Sequence, residues 1–224
     1  GLNRVEKDAA DMIETEGVTK YQLEFEQAAA IEEDLQELNV WRSILHNLGM
    51  IGQHPERYGG YAFGNVSQRS RQHPEHFIIN ASQTGQLTEL EQEHYVCIEK
   101  NDVEHNRVFA KGPLPPSSEA LTHAAIYRLD PEIQCVLHVH ESRMWQFAMQ
   151  HELPRTDADV EYGTPEMAAE ILRLYQSGQF DRERVLVMAG HQDGVISFGD
   201  SIDDAGCAML DFWMQTQMQL RAQD

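Results

Sequence analysis

The sequence predicts an α/β domain, and three observations carry that expectation. Apolar runs with strand character, such as Phe77-Ile78-Ile79, Val136-Leu137 and Val185-Leu186-Val187-Met188, alternate with stretches whose apolar residues recur at helical spacing. Glycine, proline and Asn-Asp breaks separate the two kinds of segment. The chain has 224 residues and no Pro/Gly/Ser-rich linker, low-complexity tract or internal repeat, which favours one domain.

Residues 1–15 are polar and read as a loose or helical arm. Tyr21, Leu23 and Phe25 then alternate with polar residues, the signature of a strand with one buried face. Over 35–48 the period changes: Leu38, Trp41, Ile44, Leu45 and Leu48 form a helical stripe, and Gly49 suits the C′ position. In 59–67, glycines flank a short aromatic strand, Tyr61-Ala62-Phe63, that opens into a Gly64-Asn65 turn. Phe77–Asn80 is a buried strand leading into the tight loop Ser82-Gln83-Thr84-Gly85. Tyr95–Ile98 and Arg107–Ala110 are two more strands, joined by Asn101-Asp102.

Pro115-Pro116-Ser117-Ser118-Glu119 starts a helix reaching about Tyr127, with either serine as N-cap and Glu119 in the first turn. Leu129-Asp130-Pro131 turns the chain into the strand 136–140. A helix around Trp145 and Phe147 packs inward. Thr164 as N-cap and Pro165 at N1 open a helix with Met167, Ala168, Ile171, Leu172 and Tyr175 on one face, ended by Gly178. The strand 185–188 runs out at Ala189-Gly190-His191, and 195–198 returns beside it. Ser201 with Asp204 caps a final helix, about 202–221.

The formal net charge of -20 argues against a nucleic-acid binder, which needs a basic face. An anionic substrate would therefore need a locally positive pocket. No apolar run approaches the ~18 residues of a membrane span, and no basic-then-apolar leader opens the chain. Cys97, Cys135 and Cys207 are odd in number and far apart, as expected of reduced thiols in a cytoplasmic protein.

The chemistry centres on Val136-Leu137-His138-Val139-His140. Side chains alternate along a strand, so His138 and His140 share the face of Val136, while Leu137 and Val139 face the other way. Two such imidazoles stand roughly 6–7 Å apart at the backbone, and their nitrogens can converge on one metal. Taken alone, the pair is equally a strand end with two histidines. His191, leaving a strand beside Gly190, is the best third ligand; His123 is a weaker candidate. A helix starting at Ser118 and a strand ending at His140 can lie antiparallel, which brings Glu119 near the histidines. Glu119 is then either a dipole-compatible acid or a general acid/base. The serines are caps or an anion site.

In order along the chain, Gly64-Asn65-Val66-Ser67, Thr84-Gly85, Ser117-Ser118-Glu119, His138-x-His140, Tyr162-Gly163-Thr164 and His191 resemble the class II aldolase/adducin family, over about residues 36–220. The resemblance implies a three-layer α/β/α sandwich around a mainly antiparallel sheet. It implies a homotetramer with sites between subunits. It assigns His138, His140 and His191 as ligands of Zn²⁺, with Mn²⁺, Fe²⁺ or Co²⁺ also suited to imidazole. Glu119 becomes the acid/base, and Gly64, Asn65, Thr84, Gly85, Ser117 and Ser118 the phosphate or substrate cradle. The implied activity is that of a lyase of carbohydrate metabolism. It cleaves or forms a C–C bond in a small hydroxy-carbonyl substrate, a sugar phosphate or related acid, through a metal-stabilised enediolate. Sugar-phosphate epimerase, dehydratase and non-catalytic adducin-like module stay open as alternatives. Residues 36–224 correspond to the family domain and residues 1–35 to an extension with one extra strand. Besides the extension, three features depart from the family: no tyrosine follows Tyr175, where aldolases and epimerases use one near the C-terminus; Asp159 stands where an aldolase of the family has a second tyrosine, four residues before Gly163-Thr164; and the loop 82–85 differs from the usual Ser-Gly form.

Overall fold

The computed structural model describes residues 18–223. The arm expected over 1–15 lies outside them. The elements are β1 (Gln22–Gln27), α1 (Gln36–Asn47), β2 (Asn65–Arg69), β3 (Phe77–Asn80), β4 (Tyr95–Asp102), β5 (Arg107–Gly112), α2 (Ala120–Tyr127), β6 (Cys135–His140), α3 (Ser142–Gln150), α4 (Pro165–Gln176), β7 (Val185–Val187), β8 (Gly194–Gly199) and α5 (Ile202–Ala222).

The strands form one sheet in the order β1-β5-β4-β3-β2-β6-β8-β7. Neighbours are antiparallel except β1, which joins β5 in parallel at one edge of the sheet. Helices cover both faces. On one, α2 and α4 bury Leu121, Ile126, Met167 and Ile171 against Ile79, Val136 and Phe198. On the other, α1, α3 and α5 bury Leu38, Leu45, Met144 and Met209 against Val66, Leu137 and Val139. The three-layer α/β/α sandwich follows from this arrangement. The central strand β6 is buried along its whole length, so Leu137 and Val139 enter one core while Val136, His138 and His140 face the α2/α4 side.

Caps act where their residue types suggest. Thr164 Oγ1 accepts from Met167 N, and Ser201 Oγ accepts from Asp204 N at 3.0 Å. Three local expectations are corrected. No aromatic strand forms at Tyr61-Ala62-Phe63: Tyr58, Gly59 and Gly60 all have positive φ and make a tight turn, and only Phe63 bridges back to Gly52. The pairing strand starts at Asn65 instead. Glu119 is not in the first turn of α2, nor does Ser118 cap it. Glu119 itself occupies the N-cap position with no side-chain capping bond, because its carboxyl turns inward to the histidines. Ser117 Oγ only accepts from Glu119 N, at 3.3 Å. Finally, β4 runs on through Asp102, so Asn101-Asp102 belong to the strand and the turn follows them.

Two expected site glycines are needed for space. Gly64 has φ 83°, and a Cβ there would stand 2.6 Å from Ile51 Cγ1. At Gly85 a Cβ would stand 2.4 Å from Gly52 O, a backbone atom that cannot swing aside. Gly85→Ala should therefore destabilise the fold by about 1–3 kcal/mol in urea denaturation; an unchanged midpoint would show that the 52–63 and 82–85 loops are not locked together.

Candidate metal centre

Four side chains meet on the α2/α4 face of the sheet. His138 and His140 come from β6, His191 from the turn between β7 and β8, and Glu119 from the start of α2. One donor atom from each lies within 4.8 Å of the others, and all four residues are buried. Glu119 Oε2 is 3.0 Å from His138 Nε2, and Glu119 Oε1 is 3.7 Å from His191 Nε2. His138 and His140 bring their Nε2 atoms to 3.2 Å. The rings of His140 and His191 are perpendicular, with centroids 4.7 Å apart.

The strand register explains the convergence. His138 pairs with Asn65 on β2 and with Ile196 on β8. Its Nδ1 lies 3.2 Å from Val195 O. A carbonyl only accepts, so Nδ1 donates to it and Nε2 is the nitrogen turned to the centre. There Nε2 faces a carboxylate oxygen and a second imidazole nitrogen. Such electron-rich atoms at hydrogen-bond distance call for a cation among them. Glu119 Oε1 is buried and makes no hydrogen bond. Three imidazoles and a carboxylate are an N/O donor set of the kind divalent first-row metals take.

Burial pushes the ionisations apart. It drives His191 down to about 4 and His140 well below the ordinary histidine value. Burial also raises the Glu119 carboxyl, but its pairing with His138, with His191 and His140 close by, outweighs it and holds Glu119 well below the usual carboxylate range.

A buried hydrogen-bond chain sets Glu119 in place. Asn65 Nδ2 donates to Glu119 Oε2 at 2.7 Å, and Asn65 Oδ1 accepts from His123 Nε2 at 2.5 Å. His123 Nδ1 then accepts the Ser67 hydroxyl at 2.7 Å, and Ser67 Oγ accepts from Tyr127 at 2.8 Å. Every donor points toward the carboxylate. His123, the weaker metal candidate, is thus not a member of the four-residue group; it holds Asn65 as a neutral ring, pushed down to about 3 by burial. Asn65 has both amide ends engaged by protein.

Of the expected cradle, Gly64, Asn65, Thr84, Ser117 and Ser118 line one small hollow together with Glu119. Gly85 does not line it. The Thr84 hydroxyl is used within its own loop, donating to Ala81 O and accepting from Asn80 Nδ2.

Tyr58, Asp193 and Tyr21 had no local sequence signal as neighbours of the centre, whereas Tyr162 stood in one of the motifs behind the resemblance. The Tyr58 ring meets the His140 ring edge-on at 4.7 Å, and its hydroxyl donates to Asp193 Oδ2 at 2.6 Å. Both Tyr58 and Asp193 have positive φ, the kind of backbone strain that clusters at functional sites. The Tyr162 ring lies 4.7 Å from that of His191, and its hydroxyl donates to Val18 O. Tyr21 donates to Ser117 O at 2.7 Å. The segment leading into β1 is thereby tied to both sides of the centre. For His123 a signal did exist: it follows Glu119 by four residues, on the same helix face.

Acid should unfold the metal-free protein early. His123 and His191 have native values depressed to about 3 and about 4, against 6.5 in the open chain. Below pH 6.5 the unfolded state binds protons that the native state refuses, so stability is full above that value and falls as pH drops toward 4. The slope is on the order of 1 kcal/mol per pH unit for each histidine. Urea midpoints at pH 7.5 and pH 5 test this; a flat profile would mean the two rings are not held neutral.

The family described as Class II Aldolase and Adducin N-terminal domain matches residues 54–220. No curated protein sequence matches the chain. Among solved structures, L-fuculose-1-phosphate aldolase from Thermus thermophilus is similar with a TM-score of 0.59 and 18% identity, covering 84% of this chain and 92% of that one. A sugar-phosphate aldolase from Thermotoga maritima gives 0.60 and 14%, covering 84% and 93%. An aldolase II superfamily protein from Pseudomonas syringae gives 0.60 and 19%, covering 84% and 74%. Those likenesses speak for the fold, the matched family spans most of the chain, and the buried Glu/His₃ group is compatible with a divalent metal: this chain belongs to the class II aldolase/adducin family.

Proposed function

We propose that the protein is a metal-dependent lyase that cleaves or forms a C–C bond in a small hydroxy-carbonyl compound, a sugar phosphate or related acid. The supporting observation is the buried Glu119 carboxylate, in contact with His138 and His191 and opening onto the hollow that holds Ser117 and Ser118. His138, His140 and His191 would hold the ion, Zn²⁺ in the first instance. When bound, the ion supplies Lewis acidity that stabilises negative charge developing on the substrate oxygens. Glu119 holds and moves the proton through Oε1, while Asn65 and His123 fix the other oxygen. Gly64, Thr84, Ser117 and Ser118 line a cradle that orients an anionic end of the substrate, and Gly85 lets its loop pack on Gly52. Residues 36–224 are read as the catalytic domain, with 1–35 an extension, and the assembly as a homotetramer in the cytoplasm. Among the described residues, no helix is long and apolar enough to cross a membrane.

Dehydration of the same substrate class is the second reading, since none of residues 176–224 is a tyrosine that could take the hydroxyl proton as an aldehyde leaves, or return it in the bond-forming direction. NMR of a sugar-phosphate and hydroxy-acid panel incubated with zinc-loaded protein separates the two. Two carbonyl fragments support the lyase, and a dehydrated product of unchanged carbon number supports the second reading. A metal-loaded protein inert to the whole panel would mark a non-catalytic module.

A further inference from the structure

Arg42 is a buried cation that the proposed chemistry leaves unexplained. It lies on α1 and is 2% exposed. Its Nη1 donates to Leu87 O at 2.6 Å, and its Nη2 donates to Thr84 O at 3.1 Å, with Gly85 O at 3.5 Å. Among the described residues no carboxylate forms an ion pair with it. Burial pushes its pKa below the ordinary arginine value, and the nearby Tyr95 phenol, which burial keeps neutral and which donates to Asn39 Oδ1, brings no negative charge. Main-chain carbonyls solvate the guanidinium, but they do not cancel its charge. A buried, unbalanced cation is costly in any protein. In a chain of net charge -20, lacking a carboxylate partner is a specific arrangement rather than a shortage of acids.

Its position gives the reason. Arg42 grips the far side of the loop whose near side, through Gln83 and Thr84, lines the hollow with Ser117 and Ser118. Arg42 and the Leu87 N–H both donate to Thr84 O, which fixes the loop, and the guanidinium adds a full positive charge directly behind it.

We propose that Arg42 is a positioning residue for an oxyanion bound in this hollow, and that the oxyanion is its missing counter-charge, acting through the loop without touching it. The inference rests on reading the hollow as the substrate's anion subsite. It supplies the locally positive pocket that an acidic protein needs for an anionic substrate.

The test titrates inorganic phosphate, and separately acetate, into zinc-loaded wild type, Arg42→Gln and Arg42→Lys, with zinc affinity and circular dichroism followed in parallel. Wild type should bind phosphate, and a preference for acetate would assign the subsite to a carboxylate. Arg42→Gln should bind the preferred anion at least ~tenfold more weakly with zinc affinity unchanged, since only the charge behind the loop is lost. Arg42→Lys keeps the charge and should stay within about threefold. A folded Arg42→Gln with wild-type anion affinity overturns the proposal. If the glutamine variant does not fold, a folded lysine variant that has lost the anion overturns it as well. Wild type that binds zinc but neither anion also overturns it while leaving the metal reading intact. Failure to bind zinc sinks the proposed function, and the anion titration on zinc-free protein still decides the role of Arg42.

Discussion

Glu119→Gln should abolish turnover while leaving the centre standing. Glutamine keeps the shape and can still accept the Asn65 amide at one end, so the buried chain through His123 and Ser67 survives. What it loses is the ability to take and return a proton. A positioned general base contributes ~10²–10⁴ in rate, and the loss should appear in kcat rather than KM. The control is metal content, because the three histidines remain. A glutamine variant retaining a tenth or more of wild-type kcat on any accepted substrate would remove Glu119 from the acid/base role.

The second large effect is expected at His191. It sits in the turn after β7, not in the central strand, and is 7% exposed, so truncation spares the sheet that carries His138 and His140. Losing the partner that merely orients a ligand costs ~10–100-fold in metal affinity. Losing a ligand should cost more than that. His191→Ala should therefore bind zinc at least ~100-fold more weakly in competition with a chromophoric chelator, with far-ultraviolet circular dichroism unchanged. Equal affinity in mutant and wild type would place the ion elsewhere. The same variant also loses one depressed histidine, so its acid sensitivity between pH 6.5 and 4 should be shallower than that of wild type.

What was legible in the sequence was whatever depends on local periodicity. The alternation in 136–140 already put His138 and His140 on one face, because strand side chains alternate whatever the partner strand. Thr164-Pro165 and Ser201-x-x-Asp204 marked helix starts, since capping is satisfied by neighbours in sequence. The turn at 58–60 was not legible: Tyr58 adopts a positive φ against its own preference, and its bond to Asp193 spans 135 residues. Glu119 read as a first-turn acid because such acids favour helix N-termini, yet the tertiary pull of His138 and Asn65 turned its carboxyl inward. Asn65 read as a turn residue, and only the family resemblance placed it in an anion cradle, whereas both ends of its amide are engaged by side chains 54 and 58 residues away. Arg42 sat unnoticed within an amphipathic stripe, because nothing local distinguishes a surface arginine from a buried one.

The central claim is that Glu119, His138, His140 and His191 surround a catalytic cation. Elemental analysis of protein purified without chelator, followed by zinc titration of the chelator-stripped protein, addresses it directly. The account predicts about one divalent ion per chain, lost in His191→Ala and kept in Glu119→Gln. Protein that carries no divalent metal, and takes up none on titration while remaining folded, would contradict it.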